Sequence, residues 1–213
     1  MTQQQTPTRE QAFAAFLDRL NKEQDRGALA ALRRGLGKPP GQASEMHRYI
    51  VRWLSSSEAT PYITWREEVY YLVASLFALY PESTWPPGQG PGYQRNLGAS
   101  FAQLEQTSNQ GRQEDGKQAS SVERRFVALL NSNSEDMHTH LRHAISLLKA
   151  KDVAIDWAVL LGDLLWWDSY SRRVQRQWAR AFWGRIPTTE ASPNGDAELA
   201  IETELEDAGD ASQ

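Results

Sequence analysis

The chain has 213 residues, 40% of them apolar and 10% aromatic, enough for one sizeable domain or two small helical lobes without a metal or disulfide staple. It contains no cysteine, which excludes disulfides, thiolate metal sites and cysteine nucleophiles, and no run approaches the roughly 18 apolar residues of a membrane span. The formal net charge of −4 hides an asymmetry: residues 188–213 carry eight acids and no base, which leaves 23 bases against 19 acids in residues 1–187, and 18 of the bases are arginine.

Helical periodicity runs along the chain. Phe13, Phe16, Leu17 and Leu20 recur at i, i+3, i+4, i+7 behind a Thr8-x-x-Gln11 capping box. A second helix over 28–36 stops at Gly37 with Pro39-Pro40 beyond. Met46, Tyr49, Ile50, Trp53 and Leu54 define a third, and Thr64-x-x-Glu67 opens a fourth with Val69, Leu72, Val73, Leu76 and Phe77 on one face. The stretch 81–92, with four prolines and three glycines, breaks the chain as a loop or hinge.

Beyond it, a helix over 97–104 precedes a polar, mobile stretch at 106–119. Ser120-x-x-Glu123 caps a helix carrying Phe126, Leu129 and Leu130, and Ser134 caps the next, with Met137, Leu141, Ile145 and Leu148. Asp156 begins a helix with Trp157, Leu160, Leu161, Leu164 and Leu165, and Ser171 begins the last, with Val174, Trp178 and Phe182. No segment alternates as a strand does. The predicted fold is all-α: a helical lobe at 1–80, a Pro/Gly-rich connection at 81–96, a basic helical lobe at 97–187 and a disordered acidic tail at 188–213. The N-terminus lacks the basic and apolar regions of a signal peptide, so the cytoplasm is the expected compartment, with no membrane association.

No reaction centre is legible. His47, His138, His140 and His143 have no carboxylate at ligand spacing, and the acid pairs Glu67-Glu68 and Glu135-Asp136 sit in first helical turns, where the dipole explains them. The glycines of 88–92 lack the Gly-Lys-Ser/Thr ending of a phosphate loop, and there is no Gly-x-Ser-x-Gly elbow. No enzyme activity, metal or cofactor is expected. Trp53, Trp157 and Trp178 read as core. Of the neighbours Trp166 and Trp167, about 100° apart on a helix, one belongs in the core and the other at a rim.

The arginines point to a partner. Arg124-Arg125 and Arg172-Arg173 fall at helix starts, where a cation opposes the macrodipole by roughly 0.3–1 kcal/mol. Arg172, Arg176 and Arg180 repeat at i, i+4, i+8, a like-charge row costing about 0.2–0.5 kcal/mol per pair, relieved at one end by Asp168. Any one pair is explained by a solvated face with acids supplied from elsewhere in the fold. The set together fits contact with phosphate. Arg33-Arg34 end a helix, where bases belong anyway.

Residues 121–183 resemble the small subunit of the type I-E CRISPR Cascade complex, the CasB family. The resemblance is carried by Glu123-Arg124-Arg125 before an apolar helix, then Asp136-Met137 with Leu141-Arg142. Ile155-Asp156-Trp157, Leu165-Trp166-Trp167 and the basic cluster before the last helix follow in the same order. Upstream, Asn96-Leu97-Gly98 is similar to the family's glycine-containing helix start and Leu32-Arg33-Arg34-Gly35 to its N-terminal arginine pair. The resemblance implies an all-helical, non-catalytic subunit, two copies of which lie head to tail in the complex. These copies contact the large subunit and the repeating backbone subunit, and help to hold crRNA, target DNA and the displaced single strand. Carried over by position, it implicates Arg34, Arg125, Arg142, Arg172 and Arg173, and with their neighbours the expected nucleic-acid-binding set is Arg33, Arg34, Arg124, Arg125, Arg142, Arg172, Arg173 and Arg176. Where some members have two adjacent bases this chain has Arg142-His143, and the acidic tail has no counterpart. The rival expectation is a protein-interaction scaffold whose arginines pair with carboxylates of neighbouring subunits.

Overall fold

A computed structural model describes residues 6–39, 42–54, 64–85, 94–109 and 119–184, and among these it is helical with no strand. The helices are α1 (Arg9–Lys22), α2 (Arg26–Arg33), α3 (His47–Ile50), α4 (Trp65–Leu79), α5 (Leu97–Asn109), α6 (Ser121–Asn131), α7 (Ser134–Ala150), α8 (Trp157–Leu165) and α9 (Arg173–Trp183). The acidic tail, half of the Pro/Gly-rich connection and most of the polar stretch before α6 lie outside the described residues.

α4 is the axis of the fold. From Val69 to Ala78 every residue is buried, and a helix that is apolar on all sides must be surrounded. α2, α7 and α8 pack on it, and α1 packs on α8. Buried side chains from before and after the Pro/Gly segment therefore join one apolar cluster, with Phe77 edge-on to Trp157 at 5.6 Å between ring centres. α5 lies along α9, and α6 bridges α5 and α7. α6 and α9 run antiparallel: Arg172 donates to the Leu130 carbonyl at one end, Phe126 lies 4.4 Å from Phe182, and Trp183 Nε1 donates to Glu123 at the other.

The capping boxes at Thr8–Gln11 and Thr64–Glu67 form as expected, as do the caps at Ser120 and Asp156. Three starts differ. Asp25 caps α2 through the Ala28 N–H, so that helix begins at Arg26 and turns over before Gly37, where φ is +72°. Asn133, one residue before Ser134, caps α7 because its side-chain Oδ1 accepts from the Asp136 N–H at 2.9 Å. Arg172, not Ser171, is the N-cap of α9, in the left-handed region at φ 45° with no side-chain cap. The third expected helix is a single α-turn between two 3-10 turns, and Trp53 at its end is half-buried against Phe13. α5 continues through Asn109, so the polar stretch after 104 is helical for one more turn. Of the tryptophan pair, Trp167 is buried and Trp166 is 59% exposed.

Candidate functional site

The predicted arginines divide into those the fold uses and those it leaves facing outward. Arg33 is in the first group. Its Nε and Nη2 both donate to the Ala78 carbonyl, at 2.9 and 2.7 Å, while Lys149 Nζ donates to the Leu79 carbonyl at 2.7 Å. Two cations thus close the C-terminus of α4, where the helix leaves unpaired carbonyls and a partial negative charge. Arg172 does the same for α6, with Nη2 2.7 Å from the Leu130 carbonyl. Arg34 is exposed and pairs with Glu45 at 3.3 Å.

The second group is Arg124, Arg125, Arg142, Arg173, Arg176 and Arg180. All six are exposed, and among the described residues none makes an ion pair or side-chain hydrogen bond. Arg142, on α7, has Nη1 3.5 Å from where a Cβ on Gly37 would stand, which brings it beside the turn that follows Arg33-Arg34. With Arg172 turned aside as the cap, the row along α9 is Arg173, Arg176 and Arg180, at i, i+3, i+7. The first turn of α9 holds no acid and its start no side-chain cap, so its N–H groups and cations share one unmet preference for an anion.

Asp163 on α8 is, among the described residues, the acid whose titration the surroundings clearly move. Burial pushes its carboxyl up to about 6, against the opposing pull of the Trp178 Nε1–H bond at 2.6 Å and of the Arg173 charge, with Asp156 adding to the rise. The Arg173 charge thus acts on a half-buried acid without an ion pair between them.

The histidines do not gather. His47 Nδ1 is 2.6 Å from the Tyr71 hydroxyl, and among the described residues no three His, Asp or Glu side chains cluster as metal ligands would. Arg180, on the α9 row but outside the expected binding set, joins the site. Sequence reasoning missed two polar atoms without partners, Ser169 Oγ and Gln175 Oε1. Gln175 was visible in principle: with Trp178 and Phe182 it falls at i, i+3, i+7 on the buried face of α9, a position that elsewhere takes an apolar residue.

Comparison with known proteins matches residues 28–183 to the family model of the CRISPR-associated protein Cse2. A CRISPR-associated protein Cse2 from Thermus thermophilus is 34% identical over 176 residues, which cover 79% of this chain and 88% of that protein. The crystal structure of M. ruber CasB superposes with a TM-score of 0.65 at 32% identity, over 84% of this chain and 94% of that one. A chain of a CRISPR RNA-guided surveillance complex, pre-nicking, superposes with a TM-score of 0.64 at 26% identity, over 84% of this chain and 93% of that one.

Proposed function

The chain belongs to the Cse2 family of CRISPR-associated proteins, and on that footing we propose that it is a non-catalytic small subunit of a crRNA-guided Cascade complex. Its work is to hold nucleic acid by phosphate contact, stabilising the R-loop formed by crRNA, target strand and displaced single strand. Its protein partners are the large subunit, the repeating backbone subunit and a second copy of itself, and it acts in the cytoplasm. The family membership and the surveillance-complex relative support the assembly.

The observation that carries the holding role is the row Arg173, Arg176 and Arg180, exposed on a helix whose first turn has no acid. Arg124 and Arg125 add to it at the start of α6, and Arg34 and Arg142 form a second basic group around Gly37. Arginine on phosphate releases counterions and gives affinity that is blind to sequence, which suits a strand whose sequence is already read by base pairing. Electrophoretic shift of the purified chain with single-stranded oligonucleotides, repeated from low to high salt, tests the reading. Binding that weakens steeply and log-linearly with salt supports it. Absence of binding at low salt would leave the arginines facing protein carboxylates.

A further inference from the structure

Between the α6–α7 corner and the α8–α9 connection lies a cavity of about 290 Å³, floored by the buried Trp167 and opening beside Tyr170, whose side chain is fully exposed. Two of the atoms on its lining residues are buried and lack partners: Gln175 Oε1, on a residue only 6% exposed, and Ser169 Oγ. The Gln175 amide is oriented by its own Nε2, which donates to the Trp167 carbonyl at 2.8 Å, so the free oxygen is fixed as an acceptor. An unpaired buried acceptor of this kind has given up its water without a replacement donor, and a ligand that donates to it restores the lost bond.

The chemistry of the lining selects the ligand. Asp168 also lines the cavity, and a carboxylate there repels phosphate while accepting from an N–H group. Cations stand at the rim: Arg172 lines the cavity, Arg173 follows it, and the uncapped start of α9 lies next to both. An apolar floor, an exposed phenol ring, acceptors within and cations at the mouth match one nucleotide whose base is unstacked inward and whose phosphate stays outside.

Resting on the nucleic-acid-holding role proposed above, we propose that this cavity receives a single unstacked nucleobase bearing an exocyclic amine, which donates to Gln175 Oε1 while Tyr170 stacks on the base. The subunit then grips its strand at one base as well as along the phosphates.

Three oligonucleotides of equal length and charge test this, in deoxyribo and ribo forms to show which strand is taken: oligocytidine, its analogue lacking the 4-amino group, and an abasic chain. Oligocytidine is expected to bind about fivefold or more tightly than the abasic chain at the same salt, with the desamino analogue between them. Tyr170→Ala, which removes a fully exposed ring, should narrow that spread without altering the salt slope. Equal affinity for cytidine and abasic chains, with binding itself intact, overturns the base pocket alone and means that Gln175 faces water or a protein donor. Failure of all three to bind would instead remove the phosphate-holding role and this pocket with it.

Discussion

Gly98, in the first turn of α5, lies so close to α9 that a Cβ on it would stand 2.1 Å from the Trp178 carbonyl oxygen and 2.8 Å from the Trp178 Cα. The atoms in the way are backbone, so no side-chain rotation relieves the clash. Only glycine lets the two helices approach at this point.

Gly98→Ala should therefore destabilise the fold by about 3 kcal/mol or more, although alanine is the better helix former. Gly162 on α8 is the internal control. A Cβ there meets nothing nearer than Glu10 Cγ at 3.9 Å, so Gly162→Ala should be neutral or stabilising by roughly 0.5–1 kcal/mol. Thermal denaturation of the two variants should move the melting temperature in opposite directions, and a fall of similar size in both would refute the close-approach argument.

Much of this was legible in the sequence because it is local. Capping boxes at Thr8 and Thr64 and the apolar stripes of α1, α6, α7 and α8 follow from spacing alone. What spacing does not carry is tertiary satisfaction. Arg33 and Arg172 look like any other surface arginine until their guanidinium groups are seen on the carbonyls at the ends of α4 and α6. Asn133 and Ser134 are equally good caps by type, and backbone geometry decides between them. Gly98 stands out in the sequence by resemblance, and its physical reason emerges only once α9 is packed against it.

Asp163 makes stability depend on pH. Its folded-state carboxyl titrates at about 6, above the ordinary 3.8, so the native state binds the proton more tightly than the unfolded chain does. Stability should fall as pH rises from about 4 to 6, and the penalty should be fully present above that. Asp163→Asn keeps an oxygen acceptor for Trp178 and removes the charge. Urea denaturation should show the variant more stable by roughly 1–2 kcal/mol at pH 7.5 and matched to wild type near pH 4. A difference independent of pH would mean that burial of the carboxylate is not the cause.

Adjacent arginines 33 and 34 should separate by function. Arg33→Ala strands the Ala78 carbonyl and should cost about 1–3 kcal/mol in denaturant unfolding. Arg34→Ala loses only an exposed pair with Glu45 and should stay within about 0.5 kcal/mol, while weakening single-strand binding. The reverse ranking in stability would contradict the capping role assigned to Arg33.

Arg125→Ala and Arg173→Ala should both weaken single-strand binding, with different side effects. Arg125 has no internal partner among the described residues, so its loss should leave the melting temperature unchanged. Arg173 favours the ionised form of Asp163, so removing it should raise that carboxyl further and lower stability slightly above pH 6, and not below pH 4. Melting curves at the two pH values distinguish these cases. A large drop from Arg125→Ala would reveal a structural ion pair and favour a protein-facing role.

The assembled complex gives the most demanding test. If Arg34, Arg125 and Arg173 each neutralise about one phosphate, replacing all three by alanine should weaken target binding about equally for every matched DNA, because guide pairing and not these side chains reads the sequence. The log–log salt dependence should also flatten, by about 0.7 for each single-strand phosphate that is no longer neutralised. Wild-type and triple-variant complexes, each shown to retain the subunit, are to be compared over several salt concentrations on matched and seed-mismatched DNA. Loss of discrimination at preserved affinity would place these arginines in sequence checking, which phosphate contacts cannot perform. An unchanged slope with reduced affinity would mean that the three side chains face protein, since only displaced counterions couple binding to salt in this way.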